Sequence, residues 1–124
     1  VHSYAVWEGR PVEEALAHTQ ADIAAVAAAN PGKPLVLSEV GWCTQANGRG
    51  FPAHHANAEA QALYVAQLRD WSRESGVLCF LFEAFDEPWK GSSDPMEPEK
   101  HWGLYGVDRQ AKLAMRAWAP AATA

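Results

Sequence analysis

Leu35-Val36-Leu37-Ser38-Glu39-Val40-Gly41-Trp42 is the stretch on which the fold turns. A near-continuous apolar run bounded by turn residues reads as a strand buried on both faces, as in parallel sheets. The strand is predicted over Leu35–Glu39. A carboxylate at the C-terminal end of such a strand, followed by glycine and an indole, lies where α/β barrels present reactive groups. The same glutamate also fits a strand that exits into solvent, so the segment by itself gives a location and not a chemistry.

Working outward, the flanking sequence alternates strand and helix signals. Val1 to Tyr4 reads as the tail of a strand, with a loop through Trp7-Glu8-Gly9. A helix is predicted to open with Pro11 at its first position, and Glu13 and Glu14 suit the positive end of its dipole. Val12, Leu16, Ile23, Val26 and Ala27 recur at helical spacing as its core face, and Asn30-Pro31-Gly32 stops it. Downstream, a polar loop runs from Cys43 to Ala56, and Asn57 caps a second helix with Ala60, Leu63, Tyr64, Leu68 and Trp71 inward. Gly76 ends that helix, and Val77–Phe82 is a second buried strand. A loop rich in Pro, Gly and Ser reaches about Glu99, and a short helix is expected from Arg109 to Trp118. This order is that of parallel α/β units, with about two and a half units present. They are too few to close an eight-stranded barrel and leave a sheet edge to be covered.

Composition narrows the function classes. The chain has 124 residues, the length of one ordinary domain, with 48% hydrophobic and 20% charged residues. A formal charge of −5 argues against nucleic acid as main partner, since phosphate binding needs clustered Lys and Arg. No apolar stretch reaches the roughly 18 residues of a membrane span. No signal peptide is visible, and the opening at Val1 leaves localisation unread. Cys43 lies four residues after Glu39, and Cys79 four before Glu83. If both glutamates end parallel strands, the thiols stand roughly 26 Å apart at about 3.3 Å per residue. A disulfide needs Cα atoms within about 7 Å, so none is expected between them.

A second cluster of chemistry is Phe82-Glu83-Ala84-Phe85-Asp86-Glu87-Pro88-Trp89-Lys90. It too follows an apolar run, so it lands at the same end of the sheet as Glu39. Indole faces stack on the C–H face of a pyranose while carboxylates and Lys bond its hydroxyls. The plainer alternative is an acidic loop with a Glu87–Lys90 surface pair worth at most about 1 kcal/mol. The histidines are scattered or adjacent, as His54-His55 are, and Asp94-Pro95-Met96-Glu97 lacks calcium-loop spacing. Neither a metal nor a cofactor is expected.

Together, Ser38-Glu39-Val40-Gly41-Trp42, Phe82 to Lys90, and His101-Trp102-Gly103-Leu104-Tyr105 resemble glycoside hydrolase family 17. Val1-His2-Ser3-Tyr4 with Trp7-Glu8-Gly9 is similar to the end of the sixth barrel strand and its loop in that family. The resemblance spans nearly the whole chain, and three motifs in order make it specific. It implies a retaining β-1,3-glucan hydrolase or glucanosyltransferase on a (β/α)8 TIM barrel, of which this chain would be the C-terminal portion, about strands six to eight. By it, Glu39 matches the nucleophile. Trp42, Trp89, Trp102, His2 and Tyr4 would line the glucan cleft, with Trp7 and Glu8 on the neighbouring loop. Glu83, Glu87 and Lys90 match the polar cluster that supports the nucleophile and bonds the sugar. Cys43 stands where the family often has proline.

The resemblance also implies a missing part. The family's acid/base comes from an Asn-Glu pair ending the fourth strand, and no Asn-Glu dipeptide occurs in this sequence. The expected organisation is a partial barrel over 1–118 and a frayed or disordered tail over 119–124. The expected partner is a β-glucan, with the upstream barrel half or a second copy of the chain covering the open edge. An extracellular, periplasmic or membrane-linked setting is implied by the family alone. The alternative is a catalytically incomplete half-barrel that binds carbohydrate or self-associates.

Overall fold

Three short strands form one parallel sheet in the order β1-β2-β3. In the computed structural model of the chain, which describes residues 1–118, they are β1 (His2–Ser3), β2 (Val36–Val40) and β3 (Leu78–Leu81). The helices α1 (Val12–Ala29) and α2 (Ala58–Ser75) connect them, and α3 (Leu113–Trp118) follows. His2 pairs with Glu39, and Val36 with Leu78. The mixed α/β order read from the sequence is therefore present. The tail expected over 119–124 lies outside the described residues.

The strands are not buried on both faces as expected. Leu37 and Val40 are fully buried against Ala15, Ala60, Tyr64 and Leu68 from the helices. The opposite face is open: Val36 is 38% exposed, and Leu78 and Phe80 are each 54% exposed. Helices cover one side of this sheet only. The strand ends also shift by a residue, since β2 runs to Val40 instead of Glu39 and β3 is shorter than Val77–Phe82.

A bulge in β2 matters more than these shifts. Leu37 pairs with Cys79 and Val40 with Leu81, so three steps on β2 match two on β3. The extra residue puts Leu37 and Val40 on the same, helix-covered face, and Ser38 and Glu39 remain in contact with solvent. Bulges commonly re-aim a side chain in this way.

The first helix carries Pro11 as its N-cap, one position before the expected place. Its buried line is Ala15 and Thr19, with Val12, Leu16 and Ile23 beside it, whereas Ala27 is exposed. Thr19 explains the rotation. Its hydroxyl meets Ser3 Oγ at 3.0 Å and also bonds the Tyr64 hydroxyl, joining β1, α1 and α2 through buried, satisfied groups.

The second helix begins as expected: Asn57 Oδ1 accepts the Ala60 N–H at 2.7 Å. It ends at Gly76, in the left-handed region at φ 74. Leu63 is 43% exposed, while Gln61 and Val65 are buried instead. Gln61 Nε2 donates to the carbonyls of Trp42 (2.9 Å) and Gly103 (3.1 Å), so a buried amide fastens the loops after β2 and β3 together. The last helix starts at Leu113 because 106–110 form a turn, with Arg109 at φ 68 and Asp108 Oδ1 accepting the Gln110 N–H. Cys43 and Cys79 are both free thiols.

Candidate active site

Glu39, at the C-terminal end of β2, is held by two groups from β1 and its following turn. Its Oε2 accepts the Tyr4 hydroxyl at 2.5 Å and lies 3.4 Å from His2 Nδ1. The carboxylate is 36% exposed, reachable but oriented. Burial, then the hydrogen bond to the Glu39 carboxylate, push the Tyr4 hydroxyl far above the usual phenol range. Tyr4 therefore stays a donor at any physiological pH.

An aromatic floor supports this pair. The Tyr4 ring meets Trp102 edge-on at 5.2 Å and Phe82 at 5.9 Å, and Trp7 stacks on Trp102 at 6.4 Å. Trp102 is only 1% exposed, and its indole N–H has no acceptor among the described residues. Close backbone approach builds the floor. A Cβ at Gly41 would lie 2.0 Å from the Phe82 carbonyl oxygen, and one at Gly103 would lie 2.2 Å from the Asp86 nitrogen.

Beside the floor, Lys90 Nζ contacts Glu83 at 3.1 Å, pairs with Glu87 and lies 4.7 Å over the Phe82 ring. These side chains are 15–30% exposed, so the cluster is not the fully exposed surface pair of the plainer reading. Burial pushes the Glu83 carboxyl up to about 7, with Glu87 adding to the rise and Lys90 opposing it. Glu87, bonded to Lys90 and then to Glu83, is held below the usual carboxylate range. Burial works against the Lys90 charge, but Glu87 and Glu83 outweigh it and raise its pKa.

A linkage follows from Glu83. Its pKa is raised on folding, so the stabilisation it confers is full below about pH 4.5 and lost as pH rises through about 7. Thermal stability is therefore expected to decline across that window more steeply in the parent chain than in Glu83→Gln. Circular-dichroism melts of both at several pH values check this, and parallel profiles would refute it.

Two residues expected from sequence to line the cleft, Trp42 and Trp102, are buried. Trp42 is 1% exposed; its indole N–H donates to the His55 carbonyl at 2.8 Å and its ring meets Tyr64 edge-on. It packs beneath the end of β2 and does not wall a cleft. Glu8 is exposed and lines a cavity of about 610 Å³ with His2, Tyr4 and Trp7, which extends to His18 and Asp22. Trp89 is 73% exposed on the loop after β3.

Sequence reading missed Glu99 and the Asp86 network. Glu99 is half-buried; burial pushes its carboxyl up, Lys90 pulls it down, and its charge is felt at Tyr4. In Pro98-Glu99-Lys100 it looks like any solvated charge; its place two residues before His101-Trp102 was the available signal. Asp86 Oδ1 accepts Lys112 Nζ at 2.7 Å and the Gly103 N–H at 2.9 Å. Burial opposes its charge, but His101 and Lys112 hold its pKa below the usual range. Lys112 also reaches Thr44 at 2.9 Å, so this network locks the three loops behind the floor. Among the described residues, no group of three His, Cys, Asp or Glu is arranged to hold a metal ion, and no helix is long and apolar enough to cross a membrane.

Carboxylates at the ends of parallel strands thus stand over an aromatic floor beside a Glu–Lys–Glu cluster in an α/β domain. A sequence model of the BtgE/BtgC glycoside hydrolase domain matches residues 1–103, and the chain belongs to that family. A glucan 1,3-beta-glucosidase of Arthroderma benhamiae is 32% identical over 127 residues, 91% of this chain. Among solved structures, a Rhizomucor miehei family 17 beta-1,3-glucanosyltransferase mutant in complex with laminaritriose superposes with TM-score 0.79 at 27% identity, covering 91% of this chain. An endo-laminarinase from Formosa superposes with TM-score 0.71 at 28% identity over 86% of this chain. The family 17 resemblance thus holds. The chain spans 40% of the Arthroderma relative's length, 40% of the Rhizomucor chain and 28% of the Formosa chain.

Proposed function

We propose that this chain supplies strands six to eight of a (β/α)8 barrel and the nucleophile of a retaining β-1,3-glucan hydrolase or glucanosyltransferase. The observation that carries the reading is Glu39, set at a strand end by the β2 bulge and bonded by Tyr4 through Oε2. With Oε2 held, Oε1 attacks the anomeric carbon as the glycosidic C–O bond breaks, giving a glycosyl ester on Glu39. The departing oxygen takes its proton from an acid supplied by the remainder of the barrel. Water or a glucan hydroxyl then displaces Glu39, and the two outcomes share the first step. Tyr4 forms the base under the sugar, with the buried Trp102 supporting its ring from below, while Glu83, Glu87 and Lys90 bond the sugar hydroxyls. The open face of Val36, Leu78 and Phe80 becomes barrel interior, filled from the other strands. That same exposure favours a second reading, a half-barrel that binds glucan and closes this face with a second copy.

Grafting decides between them. Residues 1–118, placed in the Rhizomucor glucanosyltransferase in exchange for its matched segment, are expected to give laminarin turnover, and the chain alone none. A graft that melts cooperatively yet is inert overturns the proposal. Turnover by the chain alone that Glu39→Gln abolishes overturns the part of the proposal that places the acid in the remainder of the barrel.

A further inference from the structure

Both ring nitrogens of His101 face acceptors. Nε2 lies 2.7 Å from the Pro95 carbonyl, which can only accept, so Nε2 carries a proton. Nδ1 lies 3.9 Å from Asp86 Oδ2, a carboxylate oxygen that also only accepts. A neutral imidazole has one N–H and one lone pair, so in either tautomer a lone pair would face an acceptor. The imidazolium alone suits both partners. The side chains are only 17% (His101) and 12% (Asp86) exposed, so solvent ions screen little of this pair. Asp86 raises the His101 pKa above the usual imidazole range against burial; the Pro95 carbonyl adds to the rise and Lys112 opposes it.

The two acceptors belong to different segments. Asp86 follows β3 and accepts the Gly103 N–H at 2.9 Å, next to Trp102 in the floor. Pro95 sits in the 91–97 loop, which with Asp86 and His101 lines a cavity of about 540 Å³ that nothing described above uses. Within the loop, Ser92 bonds Glu97 at 2.9 Å and Asp94 Oδ1 accepts the Met96 N–H at 2.9 Å, so it holds its own shape. Toward the body, Asn47 Nδ2 donates to Asp94 Oδ2 at 3.0 Å and His101 donates to Pro95. The charged groups acting on the ring are Asp86, from the turn after β3, and Lys112, from the segment before α3. Neighbouring charges are committed elsewhere: Lys112 to Asp86 Oδ1 and Thr44, Lys100 to the carbonyls of Pro88 and Lys90, and Glu97 to Ser92. Loss of the ring proton turns one of the two His101 contacts from attraction to repulsion and leaves the middle of the loop held by Asn47.

We propose that His101 is a proton-operated latch: as imidazolium it clamps the 91–97 loop to Asp86 beside the floor, and as neutral imidazole it releases the loop and opens the cavity the loop borders. The latch does not depend on the glucan-active reading of the chain. The folded-state pKa is raised, so the clamp is complete below about pH 6.5 and is lost as pH rises through the folded-state value. A pH titration of the His101 ring by ¹H–¹³C NMR, with ¹⁵N order parameters of Ser93, Asp94 and Met96, tests it. Order parameters near about 0.85 are expected with the ring charged and below about 0.6 with it neutral, changing at the midpoint of the ring titration. Asp86→Asn, which removes the anionic partner, is expected to lower that midpoint by about one unit and to carry the loop transition down with it. His101→Gln keeps a donor for Pro95 but has no titrating group, so its loop should show no transition. Order parameters that stay constant while the ring titrates would overturn the latch. So would a loop transition that persists in His101→Gln, or one that stays in place when Asp86→Asn moves the ring midpoint. The parent titration decides by itself if either variant fails to fold.

Discussion

Glu39→Gln in the grafted barrel is expected to lower laminarin turnover by at least about 10³-fold, because it removes the group that forms the covalent intermediate. The change is isosteric, and the amide oxygen still accepts from Tyr4, whose hydroxyl stays protonated. Folding should therefore be unaffected and the melting temperature nearly unchanged. The loss should fall on kcat more than on KM, since the proposal gives the substrate contacts to Tyr4 and the Glu83–Lys90 cluster. Retention of more than about a tenth of the parent turnover would assign the nucleophile elsewhere.

A large stability effect is expected at Gly41. An added methyl would sit 2.0 Å from the Phe82 carbonyl oxygen and 3.1 Å from its carbon, and both are backbone atoms that cannot swing aside. Separating the ends of β2 and β3 to admit it should cost about 3 kcal/mol, near the upper part of the overpacking range. That corresponds to a fall in melting temperature on the order of 10 °C for a domain of this size. Gly9→Ala is the comparison: φ is 73 there, but nothing lies within 4 Å, so only about 1 kcal/mol of left-handed backbone strain is expected. Equal effects at the two positions in thermal melts would mean that the strand ends are not in contact at Gly41.

Local chemistry made the element order legible. Asn57 and Gly76 bracket α2 through a side-chain cap and a left-handed glycine, both functions of short-range sequence. Leu35–Glu39 correctly marked a strand in a parallel sheet. Its apolarity on both faces was a poor guide to burial, because the residues opposite Val36, Leu78 and Phe80 are not in this sheet. The rotation of α1 was hidden for another reason: Thr19 is buried by hydroxyl partners on β1 and α2 that no hydropathy period records. Gln61 breaks the apolar face of α2 in the same way.

Which candidate residues meet was legible where a motif and its backbone position agree. Glu39, Tyr4 and His2 meet, as do Glu83, Glu87 and Lys90. Trp42 misled because adjacency to Glu39 in sequence does not place the indole beside the carboxylate; a bulge and the Gly41 contact send it into the core. Glu99 was hidden among solvated charges, and the Asp86–Lys112 pair joins residues too far apart in sequence for spacing to reveal.

Covalent capture tests the central assignment most directly. A laminaribiosyl fluoride bearing fluorine on the ring carbon next to the anomeric centre reacts without an acid, because fluoride leaves unprotonated, and its ester turns over slowly. Incubated with the grafted barrel and mapped by peptide mass spectrometry, it is predicted to place the fluoroglycosyl increment on Glu39. An increment on Glu83, Glu87 or Glu99, or none in a barrel that turns over laminarin, would contradict that assignment.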